Sequence, residues 1–154
     1  MGRYTKLALT NDGKGLAFLS DKDDYASKKP LPKLYRYAGE TKEIVAPANP
    51  DGWIVNENTT PRFSDSGRRL IFGIGPKPVE DKEIPDDEKV SVDIWNWQDP
   101  LLQPQQLLQA SAERTRTYDV LHENGRSVLL EDGKLRTVTI PGKGDAAWGY
   151  AAED

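Results

Sequence analysis

One histidine, two acidic runs and one glycine pair are the residues of this chain that could do chemistry. His122 is the only histidine. A Ser-His-Asp triad would need it as general base, but the nucleophile elbow G-x-S-x-G occurs nowhere in the chain. In "VLHENG" (120–125) it reads as a turn residue. The runs "DKDD" (21–24) and "EDKEIPDDE" (80–88) carry carboxylates of the kind that bind calcium. Neither has the D-x-D-x-D-G spacing of a calcium loop, so both read as solvated acidic loops. Carboxylate pairs for glycoside hydrolysis need two acids marked out by position, and nothing marks out a pair. "GIGPKP" (73–78) starts with Gly-x-Gly after a strand-like run. It lacks the third glycine, and Pro76 and Pro78 block the helix a phosphate cradle requires. Trp95 and Trp97 could stack a ligand, but as alternate residues of one strand they read as packing. Trp53 and Trp148 have no role that the sequence assigns. No catalytic, cofactor-binding or metal-ligating residue is therefore assigned.

Composition narrows the setting. The chain has 154 residues, enough for one domain with a real core. Charged residues are 30% and hydrophobic ones 36%, with a mean hydropathy of -0.71. Four tryptophans argue against wholesale disorder. The net charge of -4 argues against a nucleic-acid surface, which needs clustered Lys and Arg. No apolar run is long enough to span a bilayer as a helix, so no membrane partner is expected. "MGRYTKLALT" has no apolar stretch of signal-peptide length, which reads as a cytosolic chain or one whose leader is removed. Lys6 stands where a myristoylation motif wants Ser or Thr. The absence of cysteine excludes disulfides, thiolate catalysis and Cys-ligated zinc, and is compatible with any compartment.

The elements that would position such residues come from a repeat. "LALTNDGKGLAFLS" (7–20) and "PRFSDSGRRLIFG" (61–73) share one shape. Gly13 aligns with Gly67, Leu9 with Phe63, and Leu16 and Phe18 with Leu70 and Phe72. "VLHENGRSVLLEDG" is a weaker copy around Gly125, with Leu121, Val128 and Leu130 in the apolar places. The three glycines are spaced by 54 and 58 residues. Each copy reads as a β-hairpin whose turn needs the positive φ that glycine supplies. A second phrase follows the first: "KLYRYAG" (33–39) matches "DIWNWQD" (93–99), with "KLRTV" (134–138) as a reduced version. These read as third strands. Fourth strands are expected at "KEIVA" (42–46) and "QQLLQ" (105–109), where Pro104 suits the start of an edge strand.

Four short antiparallel strands per copy is the sequence form of a β-propeller blade, and the expected fold class is all-β. About three blades of an incomplete ring are expected, at 4–47, 58–109 and 114–145, with 146–154 opening a further unit. The first two copies carry inserts between strands two and three, at 20–32 and 73–90, rich in Pro, Lys, Asp and Glu. They should be surface loops side by side on one face.

The run "FSDSGRRLIFGIGPKP…DEKVSVDIWNWQDPLLQPQQL" resembles the N-terminal propeller region of bacterial prolyl-oligopeptidase-like serine peptidases, most of all their large secreted forms. "KLYRYAGETKEIV" and "GDAAWGYAAED" look like neighbouring blades of that region. "DIWNWQDPLLQPQQ" is the most specific part; the turn phrase is shared with many propellers, including TolB-like ones. The resemblance implies a propeller that gates access of peptide substrates to a separate α/β-hydrolase domain of the parent chain. It implies a periplasmic or secreted setting. The triad would lie in the hydrolase domain, so no catalytic residue carries over. Three blades leave two open flanks, from which either self-association or an open arc of blades is expected. The alternative function is a stand-alone TolB-like propeller acting as a protein-interaction scaffold. A carbohydrate-active propeller ranks last, since it needs a funnel lined with carboxylates.

Overall fold

The computed structural model describes residues 2–39, 41–45, 52–78, 98, 102–131 and 135–153. The chain divides into two compact units, residues 1–77 with 117–154, and residues 78–116.

The larger unit is built from antiparallel sheets. The first sheet is a meander of β1 (Tyr4–Leu9), β2 (Gly15–Ser20), β3 (Lys33–Ala38) and β4 (Thr41–Val45), in that order. All four strands fall where the sequence places them. The second sheet begins with β5 (Trp53–Val55) and β6 (Arg62–Phe63), which lie along the same edge of β7 (Leu70–Pro76). They are one strand interrupted. Pro61 has no N–H for the ladder, and Asn56 Oδ1 accepts the Asn58 N–H at 2.8 Å, closing a local turn. Thr59 Oγ1 then accepts the Gly73 N–H at 2.5 Å, so the interruption leaves no orphan donor there.

β8 (Tyr118–Glu123) pairs with β7, and β9 (Arg126–Leu129) pairs with β8. This differs from the expected third copy. Residues 118–129 do not start a new unit but complete the second sheet as its third and fourth strands. The Gly125 bend differs too: Asn124 and Gly125 both have positive φ, 51° and 74°, between the paired residues Glu123 and Arg126. That is the two-residue Asn-Gly hairpin turn, not the longer turn of the other copies. "KLRTV" does form a strand, β10 (Leu135–Thr139), which pairs with β11 (Tyr150–Glu153) in a separate two-stranded sheet.

The smaller unit corrects another expectation. "QQLLQ" is not a strand; it lies in helix α1 (Gln103–Thr115). Pro104 sits in the first turn, where its missing N–H costs nothing. Gln105 Oε1 accepts the Leu102 N–H at 3.2 Å. From Gln105 to Arg114 there is no β-branched residue, glycine or proline, so propensity favours helix throughout. The protein is thus mostly rather than wholly β. The strand expected at "DIWNWQD", with Trp95 and Trp97, lies outside the described residues, except Gln98.

Two turns hold the larger unit's geometry. Gly13 donates to Thr10 O and Gly67 to Ser64 O, both at 2.9 Å, with φ of 69° and 73°. Thr10 N–H donates to Gly15 O and Ser64 N–H to Arg69 O, again both at 2.9 Å. Side chains repeat the pattern. Thr10 Oγ1 accepts from the Gly15 N–H at 2.8 Å, and Ser64 Oγ from the Arg69 N–H at 3.2 Å. Asp12 Oδ1 accepts from the Lys14 N–H at 3.0 Å, and Ser66 Oγ from the Arg68 N–H at 3.4 Å. Thr10 and Ser64, and Asp12 and Ser66, do the same work.

Period-2 alternation gives each sheet two faces. Ala17, Leu19, Leu34 and Val45 of the first sheet pack on Val55, Leu70, Phe72, Ile74 and Val120 of the second, all nearly or fully buried. A buried side chain of this size contributes about 1.5–3 kcal/mol. The opposite face of the second sheet, with Ile71 and Leu121, looks toward Val138 and Ile140 of the β10–β11 segment. The sheets are therefore stacked face to face in chain order.

Because both turn glycines hold a left-handed backbone, Gly13→Ala and Gly67→Ala should each cost about 1–2 kcal/mol from conformation alone. A Cβ at Gly13 meets nothing within 4 Å, whereas one at Gly67 lies 3.0 Å from the Thr10 methyl. Urea unfolding should therefore find Gly67→Ala the more damaging; two silent substitutions would contradict the turn assignment.

Candidate functional site

The feature that joins all three sheets is a row of turns along one edge of the stack. Asn11 Nδ2 donates to Asp65 O at 3.1 Å and to Asp65 Oδ1 at 2.8 Å, linking the first turn to the second. The second turn is linked onward to the β10–β11 connection. Asp65 N–H donates to Lys143 O at 3.1 Å, and Lys143 Nζ lies 3.2 Å from Asp65 Oδ1. Ser66 donates twice to Asp145, from N–H at 2.7 Å and from Oγ at 2.6 Å. The connection, the third turn in the row, shares one hydrogen bond with the other two but not their backbone. Gly142 and Lys143 have positive φ (62° and 54°) as well as Gly144, and Ala146 N–H donates to Pro141 O at 3.1 Å. Gly144 N–H donates to Pro141 O at 3.3 Å with φ of 92°, as Gly13 and Gly67 do to the residue three before them. A Cβ on Gly144 would lie 3.3 Å from the Ser64 Cβ, so glycine is needed there for space as well as for φ.

Two arginines tie this row to the sheets. Arg36 of β3 reaches the second turn, donating to Arg68 O at 3.3 Å, with its guanidinium 5.9 Å from the Phe63 ring centre. Arg69, half-buried, donates to Glu123 at 3.2 Å, Gly144 O at 3.1 Å and Ala146 O at 2.7 Å. It therefore holds β8 and the third turn together. Beside Arg69 a cavity of about 340 Å³ opens between the second sheet and the β10–β11 segment. Its walls include Leu121, Leu130, Val138, Ile140 and Trp148. A larger one of about 580 Å³ lies along the same seam, bordered by Arg62, Asp119 and Glu131.

The residues singled out from the sequence are placed as follows. His122 is buried on the core face of β8, opposite Leu70, with Nδ1 2.9 Å from Ser127 Oγ. It is not in a turn, as the sequence suggested, and it does not line the seam cavities. The acids of "DKDD" are used within the fold. Asp21 accepts from Arg3 N–H at 2.6 Å and Nε at 3.1 Å. Asp23 accepts from Tyr35 Oη at 2.7 Å and lies 3.3 Å from Lys33 Nζ. Asp24 accepts from the Leu31 N–H at 2.9 Å and from the Ser27 hydroxyl. Among the described residues no group of three or more His, Asp or Glu is arranged to hold a metal ion. "EDKEIPDDE" lies outside the described residues.

"GIGPKP" continues β7 through Pro76. A Cβ at Gly73 would lie 2.5 Å from Thr117, so this glycine serves close packing rather than a phosphate. Trp53 packs against the core, its ring 4.6 Å from that of Tyr118, and Trp148 is exposed. The third turn and its partner Asp145 are what sequence reading missed. The signal was "PGKG", whose spacing from apolar residue to glycine matches the other copies, but which lacks their Ser or Thr.

Compared with known proteins, the chain matches no family model and no curated sequence.

The turn row carries an acid-sensitive set of carboxylates. The Ser66 hydroxyl and N–H hold Asp145 below the usual carboxylate range. The Thr10 hydroxyl and the Lys14 N–H do the same for Asp12. Asp21, Asp23 and Asp24 are lowered by their partners Arg3, Tyr35 and Ser27. A depressed folded-state pKa stabilises above the unfolded value and is lost as pH falls through the folded one. Stability should be level near neutrality and fall below about pH 4. Asp145→Asn should lower stability at neutral pH and flatten that acid limb; an unchanged limb in acid-unfolding curves would show that Asp145 takes no part.

Proposed function

We propose that this chain is a propeller segment of a prolyl-oligopeptidase-like serine peptidase, non-catalytic itself, gating peptide entry to an α/β-hydrolase domain. The observation that carries the blade half of this reading is the row of turns. Sheets stacked in chain order, with the same turn in the first two and each turn bonded to the next along one edge, fit successive blades of a ring. The first sheet has a blade's four strands in meander order, the second has four strand positions with its first strand interrupted, and β10–β11 supplies the opening pair of another.

The peptidase half rests on the resemblance of "DIWNWQDPLLQPQQ" and on how the chemical groups are used. Asp21, Asp23, Asp24 and Asp145 stitch loops together, and His122 is buried in the core. A nucleophile, base and oxyanion hole then belong to another domain. Lys77, at the start of the second insert beyond β7, is close enough to Asp24 of the first to help lower its pKa.

A second reading, a stand-alone TolB-like scaffold, is favoured by the exposed Trp148 and Tyr150, which suit a protein partner. The parent reading frame separates the two. It should run on into G-x-S-x-G followed by Asp and then His; a frame that stops without them would overturn the peptidase reading. A fluorophosphonate serine probe should label the parent protein on that motif and leave this chain unlabelled. Labelling of a serine in this chain would overturn the non-catalytic assignment.

A further inference from the structure

Of the chain's six asparagines, only Asn124 is followed by glycine. The pair forms the tip of the β8–β9 hairpin, between Glu123 and Arg126, with φ of 51° and 74°. Both residues are exposed. Among the described residues, neither the Asn124 amide nor the Gly125 N–H has a hydrogen-bond partner. The Gly125 nitrogen is also open in space, since a Cβ on that residue would meet nothing within 4 Å.

The comparable groups elsewhere are engaged. Asn11 gives its amide to Asp65 twice, at 3.1 and 2.8 Å. Asn58 gives its amide to Asn56 Oδ1 at 2.9 Å. Asn11, Asn56 and Asn58 are followed by Asp12, Glu57 and Thr59, whose side chains crowd the next backbone nitrogen as glycine does not. Asp12–Gly13 also sits in a tight turn, but both of its reacting groups are spent. Asp12 Oδ1 accepts from the Thr10 hydroxyl at 2.7 Å and from the Lys14 N–H at 3.0 Å, and Gly13 N–H donates to Thr10 O at 2.9 Å. Those bonds keep Asp12 ionised, and a carboxylate is a poor electrophile.

We infer that Asn124 is a site of self-modification, at which the Gly125 nitrogen displaces the side-chain amide. That nitrogen loses its proton to hydroxide and bonds to Asn124 Cγ. The Cγ–Nδ2 bond breaks, and Nδ2 takes up a proton and leaves as ammonia. Water then opens the cyclic imide. Cleavage at Cγ gives aspartate; cleavage of the original peptide carbonyl from nitrogen gives isoaspartate, with an extra carbon in the main chain. Nothing is oxidised or reduced, and solvent supplies the water and the hydroxide.

The fold gives the isoaspartyl product a consequence. The two-residue turn sets the β8–β9 register, and an added backbone atom breaks that length. The strain falls first on Glu123, which accepts from Arg69 Nε at 3.2 Å. Arg69 also holds Gly144 O and Ala146 O, so the change loosens the tie between β8 and the third turn. The inference rests on the hairpin and on neither reading of the function.

Ageing the whole folded chain at mildly alkaline pH, followed by peptide mapping, tests this. A mass gain of about 1 Da should appear at Asn124 about tenfold or more faster than at Asn11, Asn56 or Asn58. Raising the pH should speed it, because hydroxide takes the proton. An isoaspartyl-specific methyltransferase should label the aged chain and leave the fresh one unlabelled. The aged chain should unfold at lower urea than the fresh one. Asn124→Asp adds the charge but keeps an Asp-Gly turn, so freshly made it should unfold with the unaged chain. A folded chain that keeps Asn124 amidated, or that converts the other three as fast, overturns the inference. An Asn124→Asp chain as weak as the aged one overturns the register consequence.

Discussion

A tight turn whose fourth residue needs positive φ sets the geometry of the larger unit. Glycine holds that backbone without strain, and the residue three before it closes the loop with its carbonyl and, in two copies, its hydroxyl. The turn is short enough that its remaining polar groups point outward along the edge of the sheet. Those groups then meet the next turn: Asn11 meets Asp65, and Ser66 meets Asp145. A local backbone requirement is thereby converted into a long-range contact. The sheets cannot slide past one another without breaking several charged or neutral hydrogen bonds at once.

That clamp decides what the core can be. With one edge fixed, each sheet presents the same alternate residues to its neighbour, and the apolar side chains need only fill the gap. Phe72, Leu70 and Ile74 do so completely between the first two sheets. The second seam is filled less well, with Ala146, Ala147 and Ala151 along it and cavities on both sides of Val138. Small residues at a seam leave space that larger ones would close. Arg69 compensates at that seam by bonding two carbonyls and a carboxylate, so polar contacts hold where packing is thin.

The first sheet was legible because every strand in it is short, alternating and bounded by turn residues, and its partners are neighbours in sequence. The second sheet was not legible in full. Its third strand follows its second by more than forty residues, and nothing in the pattern of "YDVLHENGRSVLL" says which earlier strand it will join. The hairpin itself was correctly read; its place was not. The helix was missed because Pro104 was weighed as a strand edge when it equally suits a helix start, and the unbroken run of helix formers after it should have decided. The third turn escaped because Pro141 stands where the other copies have Thr10 and Ser64. Its carbonyl makes the same hydrogen bond, but with no N–H it cannot close the loop as Thr10 and Ser64 do, and Gly142 and Lys143 take positive φ as well as Gly144.

The same economy explains why candidate catalytic groups were easy to find and hard to employ. A carboxylate that accepts a backbone N–H and a second donor, as Asp21, Asp24 and Asp145 do, holds a loop in one shape, and its proton affinity falls for that reason. General acid or base work asks for the opposite, a group poised near the working pH and open to a reacting atom. His122 is withheld from solvent by the sheet packing that depends on the turns. Fold and chemistry compete for these side chains, and in the described part of this chain the fold takes them. What remains exposed for recognition is the apolar face around Tyr4 and Leu9 and the seam beside Arg69, which Trp148 lines.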